Sequence, residues 1–569
     1  MISVHIKISE RVSKTIDIEI IIPNPMQLDF VVQLPAWRPG RYEMQNFAKN
    51  LTTFKSFGSN GSEINHCKIT KDSWRIAAQN SDLIKLHYSY YVNQMDAGGS
   101  YTTNQMLYVN FINCIFYVEG RIDEPYEIKV EVPETYKIAC GLKQLSAHTL
   151  FAHSFYELVD SPMVASDRLQ LITYEVANTV FNVWIEGHHA IPEAQIIADF
   201  KTFTQAQYQI FKSFPFETYH FLLLFLPYRH YHGVEHHNST VIVLGPDYQL
   251  AKPEMYKELL GISCHELFHA WNALKIKPKE LTPYDYTKEN YFETGFVLEG
   301  LTTYYGDYLL GRSGVWSVDQ YMFELNAILK RAFDNFGSQN ASLSRSSVEL
   351  WLDGYVQGIP NRKVSIYTKG CLFALLLDLT LRELSNNLTS LDEVMLPLWE
   401  RFGKQGLGYS TKDMIDLVNE VAGQDLTEFF EVTIFSATPL EGLLHQKLNW
   451  IGCGLTVQES RSNTENYFGF RTAEKDGKTV VDYSEPGSLS DKLLAKNDEL
   501  IAINGRKING NVQDLMENKD EINLTFFRDS ALQTIELRKT SHRYFKQYVI
   551  QPLQSSSFQL QENFKKWLI

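Results

Sequence analysis

Short runs of alternating apolar and polar residues, separated by turn residues, fill the first third of the chain. Ser3–Ile8 and Ile16–Ile22 alternate or run β-branched, and similar runs recur at Leu83–Val92, Met106–Val118 and Glu127–Val132. A period of two predicts strands, so residues 1–176 are expected to form an antiparallel β domain. Over 177–444 the period lengthens. Pro192–Phe214, Lys252–Leu274, Tyr291–Leu310, Ser317–Phe336, Ser365–Glu383, Leu391–Phe402 and Thr411–Val421 read as helices, with strands at His220–Pro227 and Thr240–Leu244. This middle unit is expected to be mostly helical. Over 449–540 the β pattern returns: Phe468–Arg471, Thr479–Tyr483, Glu499–Ile503, Ile522–Phe527 and Thr534–Leu537 read as strands, Ser488–Leu494 and Asn511–Glu517 as short helices. The tail, 541–569, is polar and aromatic and has no evident role. The expected fold class is multidomain α+β.

Composition narrows what these units do. Of 569 residues, 44% are apolar and 13% aromatic, enough for packed cores and too much for a disordered chain. Lys and Arg number 53 against 67 Asp and Glu, a net charge of −14, which argues against nucleic acid as partner. No run approaches the roughly 18 apolar residues that cross a bilayer. The N-terminus, MISVHIKISERVSKTIDIEI, lacks the pattern of a signal peptide. Six cysteines (Cys67, Cys114, Cys140, Cys264, Cys371, Cys453) show no short spacing, so neither a disulfide framework nor a thiolate metal site is expected. Together these features point to a cytoplasmic chain with no membrane partner.

The candidate chemistry lies within Lys252–Leu274. His265-Glu266-Leu267-Phe268-His269 places two imidazoles at i and i+4, on one helix face, where both can bind one ion. Glu266 leans to the same side and can hold a water that the metal activates. The competing reading is an ordinary amphipathic helix with two histidines. The candidate for a third ligand is Glu299, set in the apolar and aromatic stretch Phe296–Tyr305, where an unpaired carboxylate is costly; the competing reading is a snorkelling surface carboxylate. Cys264 adjoins the first ligand but points about 100° around the helix, and is read as core. Glu235 follows a strand and a turn permitted by Gly233. It is either a surface residue or a carboxylate beside the cleft that holds a protonated amine.

Beyond these ligands the chain resembles the glycyl aminopeptidase family, gluzincin metallopeptidases with a C-terminal PDZ domain. The resemblance rests on His265–His269, on Glu299 in its EGLTTYY setting, and on HAWNALKIKPKELTPYDYTKENYFETG. Trp37-Arg-Pro-Gly-Arg-Tyr42 is similar to the family's WxPGxY segment, Gly233-Val-Glu-His236 to GLEH and Tyr367-Thr-Lys-Gly370 to YxKG. It implies a thermolysin-like catalytic domain over 177–444 holding one Zn2+ per chain through His265, His269 and Glu299. It also implies that Glu266 is the base, that Tyr367 steadies the oxyanion, and that Glu235, with Gly233 and His236, binds the free N-terminus of a peptide substrate. The implied activity releases N-terminal residues, small ones such as glycine or alanine. His232 stands where a second Gly is usual and Val234 where Leu is usual, departures that bear on specificity. In the C-terminal unit, Tyr467-Phe-Gly-Phe470 resembles the carboxylate-binding loop of PDZ domains, giving Phe468, Gly469 and Phe470 as a groove for a peptide C-terminus. Gly452–Leu455 is an alternative loop. Asn497 replaces a usual Gly, which a positive φ would explain. Two rivals stand: a PDZ-assisted endopeptidase, with Glu235 facing away from the cleft, and a catalytically silent PDZ-containing binding protein.

Overall fold

A computed structural model describes residues 1–10, 13–24, 28–78, 81–554 and 556–568. The N-terminal unit is β throughout most of its length. In Thr15–Pro23, Ile16, Ile18, Ile20 and Ile22 are buried while the residues between them are exposed or half-buried; Ile84, Leu86, Tyr88 and Tyr90 do the same in Leu83–Tyr91. The two strands pair antiparallel with Ile18 opposite Tyr88 and Ile20 opposite Leu86, so one apolar face forms the core of a seven-stranded sheet. Two four-stranded sheets complete the unit. The pairing is not wholly antiparallel: Ile2–Glu10 runs parallel to Tyr126–Glu131.

The first boundary differs from the expectation. Gln170–Val176 pairs with Thr179–Glu186 and opens the next sheet. The chain reverses there through Ala177 and Asn178, with φ of 48° and 65°, a two-residue turn of the kind that joins hairpin strands. Ala-Asn is a weak sequence signal for such a turn, which is why the strand reads as a continuation of the preceding domain.

The middle sheet has five strands in the order Gln170–Val176, Thr179–Glu186, Thr218–Phe225, Ser239–Gly245, His230–His236. His230–His236 lies antiparallel to Ser239–Gly245 and forms an edge. Helices Glu193–Phe211, Pro253–Phe268, Thr302–Arg312 and Thr368–Leu384 share one large core with this sheet. Two expected helices are cut differently. Pro253–Phe268 ends at its ligand motif rather than running to Leu274, with His269 as the capping residue. The helix expected over Tyr291–Leu310 begins instead as a π-helix, Phe296–Leu301, before the α-helix Thr302–Arg312.

The C-terminal module is a six-stranded sheet spanning Phe470–Lys475 to Ala531–Arg538, with the short helices Leu489–Leu493 and Val512–Met516. Asn497 has φ of 72°. Cys453–Gln458, which overlaps the alternative loop Gly452–Leu455, is a strand that pairs with Gln547–Pro552 in a separate ribbon. The ribbon is pinned to the middle unit where Ile550 N–H donates to Asn326 Oδ1 at 2.7 Å and Ile550 O accepts from Asn326 Nδ2 at 3.0 Å.

The tail therefore has a structural role. Helix Phe558–Leu568 returns to the middle unit and buries Trp567 completely. The Trp567 indole N–H donates to Tyr304 Oη at 3.1 Å, Tyr304 Oη–H donates to Asp378 at 2.8 Å, and Tyr308 Oη–H donates to the Trp567 carbonyl. Asp378 is paired with Arg382, whose guanidinium also donates to Lys566 O at 3.0 Å. These buried polar groups satisfy one another, as low-dielectric burial requires. No helix among the described residues is long and apolar enough to cross a membrane. Trp567→Ala, which empties the largest buried site on this helix, is expected to cost about 3–5 kcal/mol. Urea unfolding of the full chain measures this, and a loss below about 1 kcal/mol would show the tail to be dispensable.

Candidate active site

Four elements converge on one point. The end of Pro253–Phe268 brings His265, Glu266 and His269; the π-helix brings Glu299; the edge strand brings Gly233 and Glu235; and the first turn of Thr368–Leu384 brings Tyr367. These residues line a cleft of about 830 Å³. His265 Nε2 and His269 Nε2 lie 3.1 Å apart, and Glu299 Oε2 is 3.8 Å from the first and 3.4 Å from the second. The three donor atoms lie within 4.8 Å of one another.

The donors suit a cation. His269 Nδ1 sits 2.9 Å from the Asn272 carbonyl, a bond it makes as N–H, which leaves Nε2 as a lone pair aimed at the Nε2 of His265. Two lone pairs and a carboxylate at these distances repel unless a positive charge lies among them. Burial opposes charge on His269, yet Glu299, Glu235 and Glu266 push its imidazole up to about 10, so positive charge at Nε2, as a proton or a metal ion, is favoured. Burial, followed by His269, holds His265 well below the usual histidine range.

The π-helix and one asparagine set the third ligand. Asn272 Nδ2 donates to the carbonyls of Val297 at 2.8 Å and Leu298 at 3.2 Å, and to Thr302 Oγ1 at 2.9 Å. It thereby ties the end of the ligand helix to the segment that carries Glu299. Behind Glu299, Gly300 packs on Gly370: a Cβ on Gly300 would lie 2.6 Å from the Gly370 Cα, and the converse 2.7 Å. The two backbones touch because neither residue has a side chain, which fixes the Tyr367 turn against the ligand segment.

Glu266 is 6% exposed, and its Oε2 has no hydrogen-bond partner among the described residues. Burial, reinforced by Glu235 and Glu299, raises its carboxyl well above the usual range. Gly233 is not a turn residue as expected. It lies within the edge strand, and a side chain there would collide with the Glu266 carboxylate.

Glu235 faces the cleft and is 7% exposed. One of its oxygens, with donors of Glu266 and His269, lies in a second group within 4.8 Å. Burial raises its carboxyl, with Glu299 adding to the effect. His236, expected beside the substrate, is a correction: alternation along the strand turns it to the opposite face, where Nδ1 lies 3.0 Å from Asp160 Oδ1 and helps join the N-terminal unit. His232 does line the cleft. Its Nδ1 accepts from Ala97 N–H at 3.2 Å, and burial followed by Arg38 holds its imidazole down at about 4, so it is neutral.

Tyr367 borders the same cleft, as does Tyr355, whose Oη accepts from Tyr42 N–H at 3.2 Å. Burial, then Glu299, raises the Tyr367 pKa well above its ordinary value, so the phenol keeps its proton to donate. Cys264 is core, its thiol and carbonyl accepting from Gln207 Nε2.

The sequence reading missed the contribution of the N-terminal unit. Trp37-Arg-Pro-Gly-Arg-Tyr42 reaches across and supplies Arg38, Gly40 and Arg41 to the cleft wall. Trp37 is fully buried, its indole N–H donating to Asp285 O at 2.7 Å. Gly40, at φ 76°, lies so close to Glu235 that a Cβ would be 2.6 Å from Oε2. The Trp-Pro-Gly pattern signalled a fixed loop, but not which unit it fills.

The expected groove in the C-terminal module is also corrected. Phe468 ends the short helix Asn463–Phe468, and both Phe468 and Phe470 are in the module's core. The Gly469 N–H donates to Glu465 O at 3.2 Å and so is not free for a carboxylate. Gln513 hydrogen-bonds Asn463 N–H and Ser462 Oγ, drawing the two short helices together.

Residues 3–167 match the Peptidase M61 N-terminal domain and residues 258–373 the M61 glycyl aminopeptidase domain. No curated protein matches the chain in sequence. Among solved structures, an aminopeptidase N family protein from Idiomarina loihiensis is 26% identical, with a TM-score of 0.92 over 100% of both chains. The M1 zinc metallopeptidase from Deinococcus radiodurans gives a TM-score of 0.47 at 14% identity, over 77% of this chain and 94% of that one.

Asn272→Ala is expected to weaken metal binding about 10–100-fold without removing a ligand. Competition against a chromogenic chelator reads this directly, and unchanged affinity would mean that Glu299 is held by other contacts.

Proposed function

The chain belongs to the M61 peptidase family, and from that premise we propose that it is a zinc-dependent aminopeptidase releasing small N-terminal residues from peptides. The observation that carries the reading is Glu235, a buried carboxylate grouped with Glu266 and His269 in the cleft of the ligand triad. A carboxylate there accepts hydrogen bonds from a substrate ammonium and so counts residues from the free end. Gly40 packs so closely on Glu235 that it leaves no room for a Cβ there, which supports glycine or alanine as the first residue.

His265, His269 and Glu299 would hold the zinc ion, which when bound polarises a scissile carbonyl and lowers the pKa of water toward about 7. Glu266 takes the proton of the attacking water on its free Oε2 and delivers it to the leaving amine. Tyr367 donates its phenolic proton in a hydrogen bond to the oxyanion, without bringing charge. Gly233 leaves room for Glu266 to hold its position.

The PDZ-like reading of the C-terminal module is supported by its strands, its two short helices and the positive φ of Asn497. With its expected loop packed in the core, the module is assigned a bracing role. Arg471 reaches Asp334 at 3.3 Å, and Tyr483 stacks on Phe336. The endopeptidase rival required Glu235 to face away from the cleft; its position there favours the exopeptidase. The six free cysteines support a reducing, cytoplasmic setting.

Glu266→Gln should retain zinc and fold while kcat falls by about two to four orders of magnitude; turnover near the original rate would remove Glu266 as base. Glu235→Ala should depress cleavage of free-amine peptides relative to N-acetylated ones. A mixed library of both kinds, with chelator controls and mass-spectrometric readout, tests the whole assignment: internal cuts regardless of blocking would overturn it.

A further inference from the structure

The cleft extends well beyond the residues used above, and its far end is chemically distinct. Glu235 is grouped with Glu266 and His269, at the C-terminal end of the ligand helix. In the other direction, one turn before His265, lies Gly261, roughly 6 Å along the axis. A Cβ on Gly261 would lie 3.8 Å from Asp307 Oδ1. Asp307 belongs to Thr302–Arg312, the helix that continues from Glu299, and Thr303 and Asp307 at i and i+4 both line the cleft. The edge strand runs the same way: alternation puts Glu235, Gly233 and Tyr231 on the cleft side, at about 6.6 Å per step, and all three line it. A peptide whose amine is held at Glu235 and whose first carbonyl lies over the triad sends its second residue toward Tyr231, Gly261 and Asp307.

Asp307 stands out at this end. It is half-buried and makes no hydrogen bond or ion pair among the described residues, whereas its acidic neighbours are engaged: Glu324 by Lys257 and Glu258 by Arg229. Arg331, the other cation of the wall, is exposed and forms no ion pair with it. Burial, then Glu324, push the Asp307 carboxyl up to about 7, against the opposing pull of Arg331 and Lys257. Glu254, Glu258, Asp307 and Glu324 line this end with Lys257 and Arg331, while Arg229, outside the lining, takes Glu258. Nearby Trp316, 3% exposed, lines the same wall with its indole N–H unpartnered, a second buried polar group that a bound chain would satisfy.

We propose that Asp307 selects substrates whose second residue carries an ammonium or guanidinium side chain, which it receives at the far end of the cleft. This rests on the aminopeptidase reading, since it needs the amine anchored at Glu235. The group touches a substrate side chain and not the reacting atoms, so its effect lies in discrimination between peptides.

The test compares glycine release from Gly-Lys-Gly, Gly-norleucine-Gly and Gly-Glu-Gly by the zinc-loaded full chain, with alanine p-nitroanilide as a reporter that has no second residue. A charge-assisted hydrogen bond predicts kcat/KM for the lysine peptide about tenfold or more above the norleucine peptide, and lowest for the glutamate peptide. In Asp307→Asn the lysine-to-norleucine ratio should fall to about one, and Asp307→Glu should keep most of it. A wild-type ratio within about twofold of one, or a ratio unchanged in Asp307→Asn, overturns the inference even if the other variant fails to fold. If the reporter is hydrolysed in a chelator-sensitive way without any lysine preference, the inference fails alone. If no free-amine substrate is turned over, the aminopeptidase reading fails with it.

Discussion

Everything in the middle unit serves the burial of like charge at one point. Glu235, Glu266 and Glu299 each expose 7% or less of their surface, and two imidazoles stand among them. Three carboxylates cannot be buried together as charges without compensation, so the arrangement calls for positive charge, a cation or protons, among them. The packing that enforces it is correspondingly rigid. Gly300 on Gly370 and Gly233 beside Glu266 let main chains approach where any side chain would wedge them apart. Asn272 closes the cluster from behind by hydrogen-bonding backbone that the π-helix leaves free.

How much of this was legible in the sequence depended on whether a residue acts through its own spacing or through a distant neighbour. His265 and His269 could be read because i,i+4 spacing on a helix is geometry in itself, and Glu299 because a lone carboxylate among apolar residues demands a reason. The π-turn beneath Glu299 could not be read from its own residues, and Gly300 within it meets a segment seventy residues on. His236 was placed on the wrong face because the motif was taken as a unit, although period-two alternation along His230–His236 separates it from Glu235. Phe468 and Phe470 were assigned to an open groove when both are core, a case in which aromatic residues beside a glycine signal packing first.

The units also divide the work differently from the linear order. The N-terminal β unit lends Arg38 and Gly40 to the end of the cleft where Glu235 lies, so the shape of that end depends on two units and not on the middle one alone. The C-terminal module contributes no residue to that cleft among the described ones, and meets the middle unit through Arg471 and Tyr483. The ribbon of Cys453–Gln458 and Gln547–Pro552 brackets the module at both its ends, which makes it an insertion within the middle unit's own architecture.

That bracketing has a consequence in time. Tyr304 lies five residues past Glu299, and the tryptophan that packs and hydrogen-bonds against it comes 263 residues later. At about 5–20 residues per second of synthesis, the helix that continues from the third ligand waits roughly 13–50 s for its own brace. A chain broken off during synthesis before Trp567 thus carries His265–His269 and Glu299 without this brace.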